Sequence, residues 1–127
     1  MTGGGVAITA LETAHAIARA ADARKAENIV ILDLKGRASF CDAFVVCSAG
    51  NRRQVAAVAD GIVDDLQAQG VKVHGVEGME ACRWVLLDFG DVLVHVFDAP
   101  QRDFYDLEAL WSDARRVMPK LAAPTSA

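Results

Sequence analysis

Arg83-Trp84-Val85-Leu86-Leu87-Asp88-Phe89-Gly90-Asp91-Val92-Leu93-Val94-His95-Val96-Phe97-Asp98 decides how this chain folds. Two runs rich in β-branched and aromatic residues flank Gly90-Asp91, and a glycine at the first central position suits a two-residue turn that needs a positive φ there. The stretch therefore reads as a β-hairpin. With that turn, Phe89 faces Val92, Leu87 faces Val94 and Val85 faces Val96, because side chains alternate between faces with a period of two. That face is wholly apolar and belongs to the core. The other face pairs Asp88 with Leu93, Leu86 with His95 and Trp84 with Phe97. Two arrangements fit such a mixed face: a helix covers it with Asp88 and His95 at the rim, or it is partly open and receives another protein on an aromatic anchor.

Outward from the hairpin, the N-terminal side alternates between helical and strand periods. Thr9 followed by Glu12 is a capping-box pattern, and Leu11, Ala14, Ala18 and Ala21 recur at helical spacing, so a first helix is expected over Ala10 to Arg24. Asn28 to Leu34 reads as a strand buried on both faces, Lys35 to Ser39 as a loop, and Asp42 to Cys47 as a second strand. Val55, Val58, Ala59, Ile62 and Leu66 form one stripe of a second helix, Arg52 to Gln69, closed by Gly70. Val71 to Val76 alternates as a third strand. After the hairpin, Asp106 caps a last helix carrying Leu107, Leu110, Trp111 and Ala114 on one face, ended by Pro119. Trp111 is assigned to the core because it falls on that stripe, while Tyr105 fits the core or a partner-binding surface equally well. The expected architecture is a single α/β (α+β) domain with a mixed five-stranded sheet and flanking helices. Residues 9–118 form this domain, 1–8 a flexible N-terminus and 119–127 a flexible tail.

With 127 residues, 53% of them apolar and 24% charged, the chain suits one ordinary globular domain. A net charge of -4 argues against binding nucleic acid through phosphate neutralisation and favours a basic protein partner. No apolar run is long enough to cross a bilayer and no leader pattern opens the chain, so a cytoplasmic protein is expected. Cys41, Cys47 and Cys82 lack a Cys-x-x-Cys pair, and His15, His74 and His95 are scattered, which gives free thiols and no metal site. Arg52 and Arg53 stand in the first turn of the second helix, where the macrodipole disfavours cations. Solvation or pairing with nearby acids accounts for them more simply than an anion site does.

Catalytic motifs are missing. Asp33, Asp42, Asp88 and Asp91 do not offer two acids on alternate residues of one strand beside a glycine-rich phosphate loop. Asp88-Phe89-Gly90 copies the kinase metal-binding tripeptide without any other kinase signature, and no serine or cysteine has the setting of a nucleophile. The chain is read as a non-enzyme that needs no cofactor.

Several motifs in fixed order carry a resemblance. The segments Ile31 to Val46, Arg53-Gln54-Val55, Gly75-Val76-Glu77-Gly78, Arg83 to Val92, His95-Val96-Phe97 and Tyr105 to Trp111 closely resemble the ribosomal silencing factor family, also called Iojap-like proteins. The likeness extends from about Leu11 to Ala114. It implies a nucleotidyltransferase-like fold without the catalytic acids. It also implies a translational repressor that binds ribosomal protein number fourteen of the large subunit and blocks association with the small subunit when nutrients are short. A large-subunit assembly factor and a nucleotide-binding or nucleotide-transferring enzyme are the alternatives. The resemblance places the interface on the sheet with Trp84 as aromatic anchor, and Asp88, Asp91, Glu77 and Asp42 would offer carboxylates to the basic partner. Gly78, His95 and Ser39 complete the expected set. Contact with ribosomal RNA would be minor or absent, no membrane is involved, and family members are often homodimers. Cys41 and Cys82 stand where the family has no fixed need of thiols, and Ala43 where many members carry an aromatic residue.

Overall fold

The computed structural model describes residues 9–36, 38–99 and 114–121. Its elements are helix α1 (Ala10–Ala23), strands β1 (Glu27–Asp33) and β2 (Ala43–Ala49), helix α2 (Arg52–Ala68), then strands β3 (Gly75–Glu77), β4 (Trp84–Asp88), β5 (Val92–Asp98) and β6 (Arg115–Val117). The strands form one mixed sheet in the order β3-β4-β5-β2-β1-β6. Only β2 and β5 run parallel, in register from Ala43 opposite Val92 to Ala49 opposite Asp98. The remaining neighbours are antiparallel.

The hairpin forms in the expected register. Trp84 lies opposite Phe97, Leu86 opposite His95 and Asp88 opposite Leu93. Phe89 N–H donates to the Val92 carbonyl at 3.0 Å, and Gly90 takes φ +88°, which a side chain would disfavour. Both described helices begin as their sequences demand. The Thr9 hydroxyl accepts from Glu12 N–H at 3.1 Å while the Glu12 carboxylate accepts from Thr9 N–H at 2.8 Å, a complete capping box. The Asn51 side chain caps α2 by accepting from Gln54 N–H at 2.9 Å. Thr9→Ala removes half of the first arrangement and is expected to cost about 1 kcal/mol of stability, read by urea denaturation.

Both described helices lie on the same side of the sheet. Ile17, Ala21, Val55, Val58, Ile62 and Leu66 pack with Ile31, Val45, Cys47, Val85, Leu87, Val94 and Val96 in one core cluster. The alanine face of α1 lets that helix approach the sheet closely, and β2 is buried along its whole length. A second cluster occupies the opposite face, built from Leu32, Leu34, Cys41, Phe44, Val46, Phe97 and Ala114, with Val30, Ala38, Trp84 and Leu93 packed against it. It contains no residue of α1 or α2.

Three expectations need correction. The third strand is not Val71 to Val76 but only Gly75–Glu77. Val71 N–H is spent closing the end of α2 on the Leu66 carbonyl, so ladder pairing with β4 begins only near His74, whose N–H reaches the Asp88 carbonyl at 2.7 Å. The sheet has six strands rather than five, because Arg115–Val117 pairs with the outer edge of β1. This pairing also ends the expected last helix before residue 115. Ala114, assigned to its apolar stripe, is buried in the second cluster instead, and Arg115 donates to the Asp33 carboxylate at 2.9 Å. The rest of that helix, with Tyr105, Asp106, Leu107, Leu110 and Trp111, lies outside the described residues, as do 1–8 and 122–127.

Candidate protein-docking face

Strand alternation puts Trp84, Leu86 and Asp88 of β4 and Leu93, His95 and Phe97 of β5 on the face away from the described helices. The parallel neighbour β2 adds Phe44 and Val46, and the β1–β2 loop adds Leu34, Cys41 and the 56% exposed Phe40. An aromatic row results. Phe40 and Phe44 are 6.1 Å apart between centroids, Phe44 meets His95 edge-on at 4.6 Å, and Phe97 stacks on Trp84 at 5.1 Å. Such arrangements suit the ring quadrupoles and rigidify the layer.

At the Trp84 end, the indole is half-buried and its Nε1–H donates to His95 Nδ1 at 3.0 Å. Glu77, Gly78, Trp84 and Leu86 line a shallow recess of about 300 Å³. The turn beyond β3 builds this recess. Gly78 has φ +89° and lies against the backbone of Trp84, while its carbonyl accepts from Cys82 N–H at 2.9 Å and the Cys82 thiol donates to the Met79 carbonyl. The result holds exposed Glu77 beside the indole.

The other candidates gather at the opposite end, roughly 13 Å away over four residues of strand. Asp42 N–H donates to the Asp91 carbonyl at 2.8 Å, and both side chains line a recess with Asp33, Lys35 and Thr9. Asp33 is held below the ordinary carboxylate range, first by its hydrogen bond from Arg115. Asp88 accepts from Gly90 N–H at 2.7 Å, so part of its hydrogen-bonding capacity holds the hairpin turn. Ser39 is exposed beside Phe40. Seven of the eight expected residues thus form two groups, Glu77, Gly78, Trp84 and His95 at one end and Asp42, Asp88 and Asp91 at the other, and the eighth, Ser39, stands in the β1–β2 loop. Phe40 joins the surface without having been singled out, whereas the 44% exposed Val76 pairs with Leu87 and lies on the α2 side of the sheet. An aromatic residue in a polar loop was the available signal for Phe40.

His95 does not sit at the rim; it is 6% exposed. Burial pulls its pKa down to about 4. A group with a depressed folded-state pKa contributes stability that is complete above its unfolded value of 6.5 and is lost as the pH falls from there toward 4. Between pH 7.5 and pH 5 wild-type protein should therefore lose about 2 kcal/mol more stability than His95→Phe. Parallel pH profiles in denaturant titrations would contradict this.

Among the described residues no three His, Cys, Asp or Glu side chains converge to hold a metal ion, and no helix is long and apolar enough to cross a membrane. Cys41, Cys47 and Cys82 are buried free thiols, with burial pushing Cys41 up to about 11.

A mixed sheet carrying both described helices on one face and an aromatic layer on the other defines a small α+β domain. The chain belongs to the ribosomal silencing factor family: the model "Ribosomal silencing factor during starvation" matches residues 7–127. Ribosomal silencing factor RsfS of Halalkalibacterium halodurans is 44% identical over 98 residues, which is 77% of this chain and 84% of that one. The chloroplastic protein Iojap of Arabidopsis thaliana is 33% identical over 101 residues, 80% of this chain and 42% of its own length. A crystal structure of a Chromobacterium violaceum protein superposes with TM-score 0.80 at 34% identity, covering 91% of this chain and 96% of the other.

Proposed function

We propose that this protein binds the large ribosomal subunit through ribosomal protein number fourteen and blocks docking of the small subunit, lowering translation when nutrients are scarce. The observation that carries the reading is the half-buried Trp84 beside exposed Glu77 on a sheet face that neither described helix covers. A large aromatic group at the edge of a well-packed layer is the usual form of an interface anchor. Glu77 stands beside it, and Asp42 and Asp91 at the far end of the strands add negative charge that steers a basic partner and fixes its register. Docking occupies a surface that the small subunit needs, so repression requires no reaction.

Membership of a family named for ribosomal silencing supports the same reading. The test is a subunit-joining assay, in which protein added to large subunits before small subunits should lower the joined fraction in proportion to occupancy. Full joining at saturating protein would overturn the steric block and leave an assembly role in its place.

A further inference from the structure

We propose that His95 is a positioning residue whose Nδ1 holds the Trp84 indole in its docking orientation; this rests on the interface reading above. An indole nitrogen can only donate, so the Trp84 Nε1–H···Nδ1 bond of 3.0 Å requires an unprotonated Nδ1 and fixes His95 as the Nε2–H tautomer. That Nε2 is buried, and among the described residues it has no hydrogen-bond partner. A buried donor without an acceptor is a destabilising choice in an aromatic layer where an apolar side chain would lose nothing.

The neighbours make the choice more pointed. Phe44 meets the imidazole edge-on and Phe97 lies parallel to it at 6.3 Å, so the site is already suited to a hydrocarbon ring. What the imidazole adds is an acceptor on the strand opposite a half-exposed tryptophan. The Phe97 stack restricts the tilt of the indole, and the hydrogen bond selects which edge faces inward. An anchor held before contact surrenders less rotational freedom on binding. His95 therefore acts through Trp84 and does not itself touch the partner.

The test compares His95→Phe, which keeps the ring and removes the acceptor, with His95→Asn, whose Oδ1 can replace Nδ1. Each is measured at pH 7.5 for stability, for the Trp84 indole N–H resonance in ¹⁵N spectra, and for binding to isolated large subunits beside Trp84→Ala. His95→Phe should be at least as stable as wild type, lose the downfield shift and exchange protection of the indole proton, and bind about tenfold more weakly. His95→Asn should recover the resonance and part of the affinity. Wild-type affinity in folded His95→Phe, with Trp84→Ala defective, overturns this proposal alone. Wild-type affinity in Trp84→Ala overturns the interface and this proposal together. If His95→Phe does not fold, His95→Leu takes its place, and failure of both to fold also overturns the proposal by making the imidazole structural.

Discussion

Trp84→Ala is expected to weaken binding to large subunits by about 2 kcal/mol or more, roughly thirtyfold in Kd, while the domain stays folded. Two consequences of the same truncation have to be separated. The indole stacks on Phe97 and packs against the second cluster, so its removal also costs stability. Full burial would put that loss at about 3–5 kcal/mol; a half-buried ring should forfeit about 2 kcal/mol, within the margin of a domain of this size. The helix-covered core does not include Trp84 and should be undisturbed. Titration against large subunits, paired with a denaturation curve of the variant, gives both numbers. A folded variant with wild-type affinity would remove the anchor from Trp84.

Gly78→Ala should have the larger effect on stability and act through the backbone. Gly78 has φ +89°, and a Cβ there would overlap the Trp84 carbonyl oxygen. The left-handed backbone alone costs an alanine about 1 kcal/mol. The overlap involves a β4 carbonyl that cannot swing aside like a flexible side chain, so the total should reach about 3 kcal/mol. A fall in Tm of about 10 °C or more is expected by calorimetry. Relief of the overlap must move β4 at Trp84, so binding should fall even where the variant is fully folded. A Tm within 2 °C of wild type would show that the turn opens freely.

Local chemistry was legible in the sequence wherever it determined structure alone. Gly90-Asp91 set the hairpin register, and with it the pairing of Trp84 with Phe97, and Thr9 with Glu12 marked the start of α1. The two sheet edges were not legible for the same reason. Val71 to Val76 alternates correctly, yet its first residues lack a ladder partner because the end of α2 takes the Val71 N–H. Arg115–Val117 continues a helical stripe in sequence, and only the open edge of β1, with Asp33 waiting for Arg115, makes it a strand.

The candidate face shows the same division. Period-two reading placed Trp84, Leu86, Asp88 and His95 together, whereas which face of the sheet α1 and α2 cover is set by tertiary packing that no local spacing encodes. Both described helices pack on the opposite face. The burial of His95 depends on β2 lying beside β5, which brings Phe44 against the imidazole. No spacing within the hairpin encodes that neighbour. Asp88 looked like a carboxylate for a partner, but a residue two positions before a turn glycine also caps the turn, and its bond from Gly90 N–H does so.

The most direct measurement is cosedimentation of the wild-type protein with isolated large and small subunits, with and without excess purified ribosomal protein number fourteen. The protein should pellet with large subunits only, and free ribosomal protein number fourteen should release it into the supernatant. Pelleting with small subunits, or a large-subunit complex that the competitor leaves intact, would contradict the account.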